Sequence, residues 1–576
     1  MKNIQRLRRF SGLMLLLLGL AGLVGPGAAP VAASGSPILK VGVLEEPKSL
    51  NLWLATDVWS SRVIRMIYEP LYVREPKNLD LVPWLAAEMP EYDPQAQTYT
   101  IKLREAKWSD GSEFTADDVA YTAWLIQAFK IPLYYDLWDN VAKVEVLDAR
   151  KVRFTLTGPL ATFVSRTLAT PIVQRAQWEA IAEKASQADK PLAKLREGKI
   201  AKPIGTGPFM LVQQQSGVLM HLQSNPHYWG RGQTIAGIPL GPHIQGVLLK
   251  VFGTADAAIL GLRKGDIDFY WNGILPGYLG ELKDNKEITL YHGKKSALYF
   301  LGFNLRRPPM SDPAFRQAVA TLVDKDFIVE RILQGAGEAM TSVVPEGNTY
   351  FHNSKCQTWG QGLSKEQRIK AAYEILKAAG YTWKTPPVNA QGQVQKAEIM
   401  SGPGGVNLDE LTILTPPSDY DPNRAMAGMM IQEWLKDLGV PVSARPMAFN
   451  AMLQQVKNRH DFDLFVLGYG RLNLDPDYLR TFFTSSQDKS GGWNMSGYRN
   501  PKYDELATRS EEEMDPAKRR VILHEMQMII SQDIPYLPLY NPSLVEGARS
   551  DRFSGWVEMV DGIGNNWSFL SIKPVK

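Results

Sequence analysis

Between Ile369 and Leu467 the chain alternates helix and strand patterns in an order that few architectures accommodate. Residues 369–379 carry helical apolar spacing and stop at Gly380, a residue suited to a C-cap. A strand pattern at 411–414 precedes a helix from about 424 to 438, ended by Gly439 with Pro441 beyond. A strand near Val442, a helix near Met452 and a buried-type strand at 462–467 follow. This β-α-β-α-β order predicts an α/β domain around a partly parallel sheet.

The first half reads as a smaller α+β unit. It opens with a short strand at 38–43, and residues 60–72 read as an amphipathic helix with Val63, Ile64 and Ile67 on its apolar side. Tyr99, Ile101 and Leu103 alternate with polar residues, as do Val152, Phe154 and Leu156, the period of half-buried strands. Residues 144–147 precede the second run across Asp148-Ala149-Arg150, which predicts a hairpin. Between these strands Thr115 is placed as an N-cap, with Asp118 three residues on as its capping-box partner. No long Ser/Gly linker separates the halves, so the domains are expected to interleave through short crossings.

The 576 residues are 44% hydrophobic and 22% charged, enough apolar material for two or three cores. The single cysteine, Cys356, allows no internal disulfide, so the cores alone must hold the fold. Residues 1–33 read as a secretory signal peptide. Lys2, Arg6, Arg8 and Arg9 form its basic region, an apolar run covers 13–24, and Val31-Ala32-Ala33 stands before Ser34. Removing that segment brings Lys plus Arg from 64 to 60, against 60 Asp plus Glu. The mature chain is then formally neutral, and no basic stripe points to nucleic acid. No cysteine follows the apolar run, so release is expected over lipid anchoring. The protein is placed outside the cytoplasmic membrane, in the periplasm or on the cell envelope.

Catalytic signatures are missing. There is no Gly-x-Ser-x-Gly, His-Glu-x-x-His or Gly-x-x-x-x-Gly-Lys pattern, and the seven histidines are scattered without ligand spacing. Gly205-Thr206-Gly207 reads as a tight turn. Asp475 and Asp477 are paired acids of a kind a secreted glycosidase could use, but such spacing is common in loops. No metal or cofactor site is expected. The chain is instead rich in Trp (15) and Tyr (22), several beside loop residues: Trp59, Trp138, Trp271, Trp359 and Trp493. Core packing competes as an explanation for each, yet rigid aromatic faces also line clefts for flexible polar solutes.

Several segments in consistent order resemble the family 5 extracellular solute-binding proteins, receptors of bacterial ABC importers for peptides, nickel and oligosaccharides. They are 103–111 with 114–119, 203–209 with Asn225-Pro226-His227-Tyr228-Trp229, 262–268, 301–304 with 315–319, and 439–476. The resemblance implies a type II periplasmic-binding-protein-like α/β fold (cluster C), with two lobes, an extra inserted α+β domain and a hinge-closing cleft. It implies domain I at 34–70, 204–296 and 546–576, domain II at 71–203, and domain III at 297–545. A monomer that delivers its ligand to the transmembrane permease subunits is expected. The family pattern assigns ligand contacts to Asp57 and Trp59, to Trp271 and Asn272, to Phe449, and to Tyr469 and Gly470; Trp493 and Tyr540 are further candidates. Peptide receptors of the family hold the ligand ammonium with an aspartate, and the matching position here is Leu472. Asp475 or Asp477 is the available substitute for a peptide, whereas an oligosaccharide or other neutral solute suits Leu472 as it stands.

Overall fold

The computed structural model describes residues 37–575 except Thr56 and Lys199, so the signal-peptide reading lies outside the described residues. A twelve-stranded sheet forms the backbone of the molecule, and one long strand, Tyr536–Arg549, passes through its middle. The first half of that strand pairs antiparallel with Leu298–Phe303 and Gly337–Ala339. Its second half pairs with Ile288–Lys294 and Phe269–Tyr270. Two lobes therefore share this strand. The chain also crosses between them at 294–298, where Ile288–Lys294 hands over to Leu298–Phe303.

In the first lobe Ile38–Val43 runs parallel to Gly246–Val251 and Phe269–Tyr270. Leu39, Val41 and Val43 are fully buried, because helices and neighbouring strands cover both faces of a parallel sheet. The first helix is Val58–Ile67, two residues earlier at its start and five shorter at its end than the apolar pattern predicts. Pro70 disfavours helical backbone at Glu69, the chain turns extended at Tyr68, and Tyr72 belongs to the strand Tyr72–Arg74.

Attached to this lobe is a four-stranded antiparallel sheet of Glu91–Asp93, Thr98–Lys102, Lys151–Leu156 and Val141–Asp148. The predicted alternation is realised: Tyr99, Ile101, Val152, Phe154 and Leu156 face the core. Helix Ala116–Ala128 packs on it, with Thr115 at its N-cap. Asp118 accepts from the Thr115 N–H at 3.0 Å, the Trp108 indole at 3.2 Å and the Arg175 N–H at 2.9 Å. One carboxylate so fixes a helix start, a tryptophan and the start of helix Arg175–Ser186.

The second lobe carries the predicted parallel strands. Leu411–Thr415 pairs parallel with both Val442–Pro446 and Leu464–Tyr469, and the helices Lys365–Ala378 and Pro422–Asp437 pack beside them. Gly380 and Gly439 take positive φ just after those helices, as the sequence suggests. Among the described residues no helix is long and apolar enough to cross a membrane.

The Gly205-Thr206-Gly207 segment bends without a hydrogen bond that would close the expected tight turn, and neither glycine adopts positive φ. Its glycines are needed for close approach. A Cβ on Gly205 would lie 1.8 Å from the Ile67 carbonyl oxygen, and the Gly207 N–H donates to that same oxygen at 2.8 Å. The segment closes the C-terminal end of the first helix.

Candidate functional site

Just past the carboxyl end of Leu464–Tyr469, Arg471 pairs with Asp561 at 3.3 Å and the Leu472 N–H donates to the Ser296 carbonyl. This end of the parallel strands, where an α/β sheet commonly presents its binding loops, therefore lies at the crossing between lobes. Tyr299 and Tyr540, on neighbouring strands, stack with ring centroids 4.8 Å apart. Asp421 caps helix Pro422–Asp437 and pairs with the buried Arg424 at 2.7 Å. Tyr420 and Phe449 stack at 4.9 Å, each 5.6 Å from the Arg424 guanidinium. Asp421 and Arg424 are also electrostatic neighbours of Tyr299 and Tyr540, so these six residues form one aromatic and polar wall. Beside it, Tyr469 stacks on Phe482 at 4.7 Å. Tyr469 and Tyr540 both bury hydroxyls that have no hydrogen-bond partner.

The facing part of the first lobe is cationic. Arg62 lies 4.6 Å from the ring of Trp59 and 4.7 Å from that of Trp271, and donates to the Trp271 carbonyl at 2.8 Å. Burial lowers its pKa to about 10. Arg65, one turn further along, keeps accessible surface, yet the protein around it desolvates the guanidinium and lowers its pKa. Burial likewise lowers Lys295, at the crossing between lobes.

Two acids sit among these cations. Asp561 accepts from the Ser296 N–H at 2.8 Å and hydroxyl at 2.7 Å, and pairs with Arg471 of the second lobe at 3.3 Å. Glu546, on the shared strand, accepts from the Ile563 N–H at 2.5 Å, while its other oxygen is buried without a partner. Burial raises its pKa to about 7 against the pull of that N–H and of Arg62 and Lys295. Glu546 also lines a cavity of about 280 Å³ with Lys77, His292, Lys294 and Gly562. Among the described residues no group of His, Cys, Asp or Glu is arranged to hold a metal ion.

A second contact joins the four-stranded unit to the second lobe. Asp475 receives both Arg519 terminal nitrogens, at 2.9 and 2.8 Å, and the Ser165 hydroxyl at 2.8 Å, with Arg74 at 3.7 Å. Burial acts to raise its pKa, but Arg519 and Arg74 outweigh it and hold the carboxyl below its ordinary value. Asp477 pairs with Arg166 and Arg480.

The sequence model of the bacterial extracellular solute-binding proteins, family 5, matches residues 80–491. The chain belongs to this family. It is a solute-binding protein and not an enzyme, which sets aside the secreted-hydrolase alternative. Oligopeptide-binding protein AppA of Bacillus subtilis is 27% identical over 557 residues, covering 93% of each chain. The structure of AppA in complex with a nonapeptide superposes with a TM-score of 0.66 at 23% identity, over 94% of this chain and 100% of that one. HbpA2 from Haemophilus parasuis gives 0.75 at 20% identity, again over 94% and 100%. The mixed α/β fold is thus that of the periplasmic peptide-binding proteins.

Within this family fold, several of the residues expected at the ligand serve the scaffold. Asp57 is the N-cap of Val58–Ile67 and accepts from the Ser60 N–H at 2.9 Å and hydroxyl at 2.5 Å. Trp59 and Trp271 meet edge to face at 5.8 Å in the first-lobe core, and the Trp271 indole donates to the Gly564 carbonyl. The exposed Asn272 accepts from the Leu44 N–H. Leu472 points into the second-lobe core, 8% exposed, and its N–H donates to the Ser296 carbonyl at 2.5 Å. Asp475, 1% exposed, is spent on Arg519 and cannot offer a free carboxylate to a ligand ammonium. Phe449, Tyr469, exposed Gly470 and Tyr540 lie at or beside the second-lobe wall. Trp493 is 43% exposed, with the Lys457 ammonium 3.4 Å from its ring. Sequence reading did not single out Arg62, Arg65, Lys295, Arg471 or Glu546. The three-residue spacing of Arg62 and Arg65 puts both on one helix face, and that was the only available signal.

Proposed function

We propose that this chain is the extracytoplasmic receptor of an ABC importer, capturing a peptide or similar polar solute between its lobes and presenting it to the membrane permease. The observation that carries the reading is the shared strand Tyr536–Arg549 and its companion crossing at 294–298, with an aromatic wall on one side and charged groups on the other. Two crossings allow the lobes to rotate about a line, and a ligand touching both walls would favour the closed arrangement by its differential contacts. The names of relatives such as oligopeptide-binding protein AppA support a peptide. The domain limits that fit this reading are 34–70, 204–296 and 546–576 for domain I, 71–203 for domain II and 297–545 for domain III, with 1–33 as the export signal.

Leu472 favours a second reading, a solute without an ammonium group such as an oligosaccharide, because a buried ammonium needs a carboxylate at hydrogen-bond distance. Native mass spectrometry of the chain from Ser34 onward, purified from its host, separates the two. Adducts with peptide masses support the first reading, and hexose-spaced adducts establish the second. Turnover of any released adduct would sink both.

A further inference from the structure

The cavity beside Glu546 is a different space from the one faced by the aromatic wall. It measures about 280 Å³ and draws its lining from the turn after strand Tyr72–Arg74, from strand residues 291–294, from 558–563, and from Gly347 and Thr349 of the second lobe. No residue of the aromatic wall lines it, nor do Arg62, Arg65, Lys295, Arg471 or Asp561; Glu546 alone belongs to both places. Gly347 marks how tightly the lobes meet here. A Cβ on it would lie 3.0 Å from the Lys294 Cβ and 3.1 Å from the Val560 Cγ2. The cavity therefore sits where the second lobe rests on the first, beside the strand both share.

One polar group in its lining has an unmet need. Glu546 is 1% exposed; one carboxyl oxygen accepts from the Ile563 N–H, and the other is buried without a hydrogen-bond partner. A buried acceptor left in that state is costly, more so when it is charged. Arg62 and Lys295 act on it from the cleft side, yet neither forms an ion pair with it among the described residues. Lys294, which shares the lining, is spent on Glu338 and Glu346 at 2.9 and 2.7 Å. Much of the remaining lining is apolar: Pro76, Leu79, Met559, Val560 and Ile563. A metal ion would require several converging ligands, and among the described residues no such group exists.

We infer that this cavity is a second binding site, one that takes a small primary amine whose ammonium donates to the free oxygen of Glu546 while its apolar body lies against Pro76, Leu79, Met559 and Val560. A charged donor suits the position better than a hydroxyl, because its bond to a carboxylate is shorter and stronger. An amine that touches Val560 on one side and Thr349 on the other bridges the lobes, and so favours the arrangement in which they meet. The site thereby acts on the hinge without entering the cleft. It goes beyond the receptor reading, since it is independent of which solute the cleft holds.

Titration calorimetry and thermal melting of the full mature chain test this with phenethylamine, phenethyl alcohol and hydrocinnamate, which share a body and differ in the polar end. The expected result is binding of the amine, with the alcohol weaker by roughly tenfold or more and no binding of the carboxylate. Glu546→Gln should weaken the amine by a similar factor of roughly ten or more, while the ligand-free variant melts no lower than the parent. Thr349→Trp fills the cavity from the exposed second-lobe side and leaves Glu546 intact; it too should lose the amine. Equal binding of the alcohol or the carboxylate would overturn the ammonium–carboxyl assignment, and an amine that does not bind would overturn the site. Amine binding that survives either substitution would seat the ligand elsewhere and overturn it as well. None of these outcomes touches the receptor reading, which stands or falls on the adducts seen by native mass spectrometry.

Discussion

The ionic contacts between the lobes include two of opposite character. At the seam with the four-stranded unit, Asp475 and Asp477 are each held by two arginines, buried, with every carboxylate oxygen engaged. In the cleft, cations outnumber acids and two of them have no partner among the described residues. A fully paired, buried contact is a scaffold element, because it gains nothing from an added ligand and loses much when broken. A contact with charge left over is incomplete by itself and can still gain from a partner of opposite sign. The same residue types therefore do opposite jobs, and pairing decides which.

The largest expected effect breaks the first half of this comparison. Asp475→Asn keeps the shape of the side chain but leaves Arg519 and Arg74 facing a neutral group. Removing one partner from a buried pair costs about 3–5 kcal/mol. Urea unfolding of the ligand-free chain should show a loss of that order. If stability is unchanged while ligand binding disappears, Asp475 is a ligand residue after all and the seam is not structural.

These differences explain what the sequence could and could not reveal. The Thr115–Asp118 cap, Gly380 and Gly439 were legible because a few neighbouring residues determine them. So were the alternating strands and the parallel order of the second lobe. The resemblance motifs were also legible, yet they proved to be packing devices. Asp268 accepts from the Lys40 N–H to tie two strands, and a Cβ on Gly302 would lie 2.3 Å from the Phe465 ring. The pairing of Asp475 was not legible because its partners lie 44 and 310 positions away, at Arg519 and Ser165. Charge pairing across such separations leaves no local pattern. The burial of Trp59 and Trp271 was illegible for the same reason: exposure of an aromatic beside a loop depends on what distant segments cover it.

An intermediate effect sharpens the cleft side. Glu546 is protonated in both states below about pH 4.5, its ordinary value, and folded Glu546 holds its proton to about pH 7. Between those values the folded chain binds more protons, so stability falls as pH rises through the window. Glu546→Gln removes this contribution. The variant should gain on the parent across that range, by roughly 3 kcal/mol in total if the full shift is expressed. Denaturant unfolding at several pH values reads the difference between the two proteins, which cancels every other titrating group. A flat difference would mean that Arg62 and Lys295 keep Glu546 ionised throughout, and the cleft would then be closer to neutral.

The smallest effect comes from the exposed ion pair Arg471–Asp561, which joins the two lobes. Arg471 is 54% exposed at its side chain and pairs with Asp561, so the pair itself contributes about 0–1 kcal/mol. Its guanidinium also repels Arg62 and Arg65 across the same space. Arg471→Gln should therefore leave ligand-free stability within about 0.5 kcal/mol of the parent, the two terms offsetting. Salt separates them, because added sodium chloride screens the repulsion in the parent more than in the variant. Raising ionic strength should stabilise the ligand-free parent relative to Arg471→Gln, a gap small in energy but fixed in sign. The opposite sign would mean that attraction to Asp561 dominates.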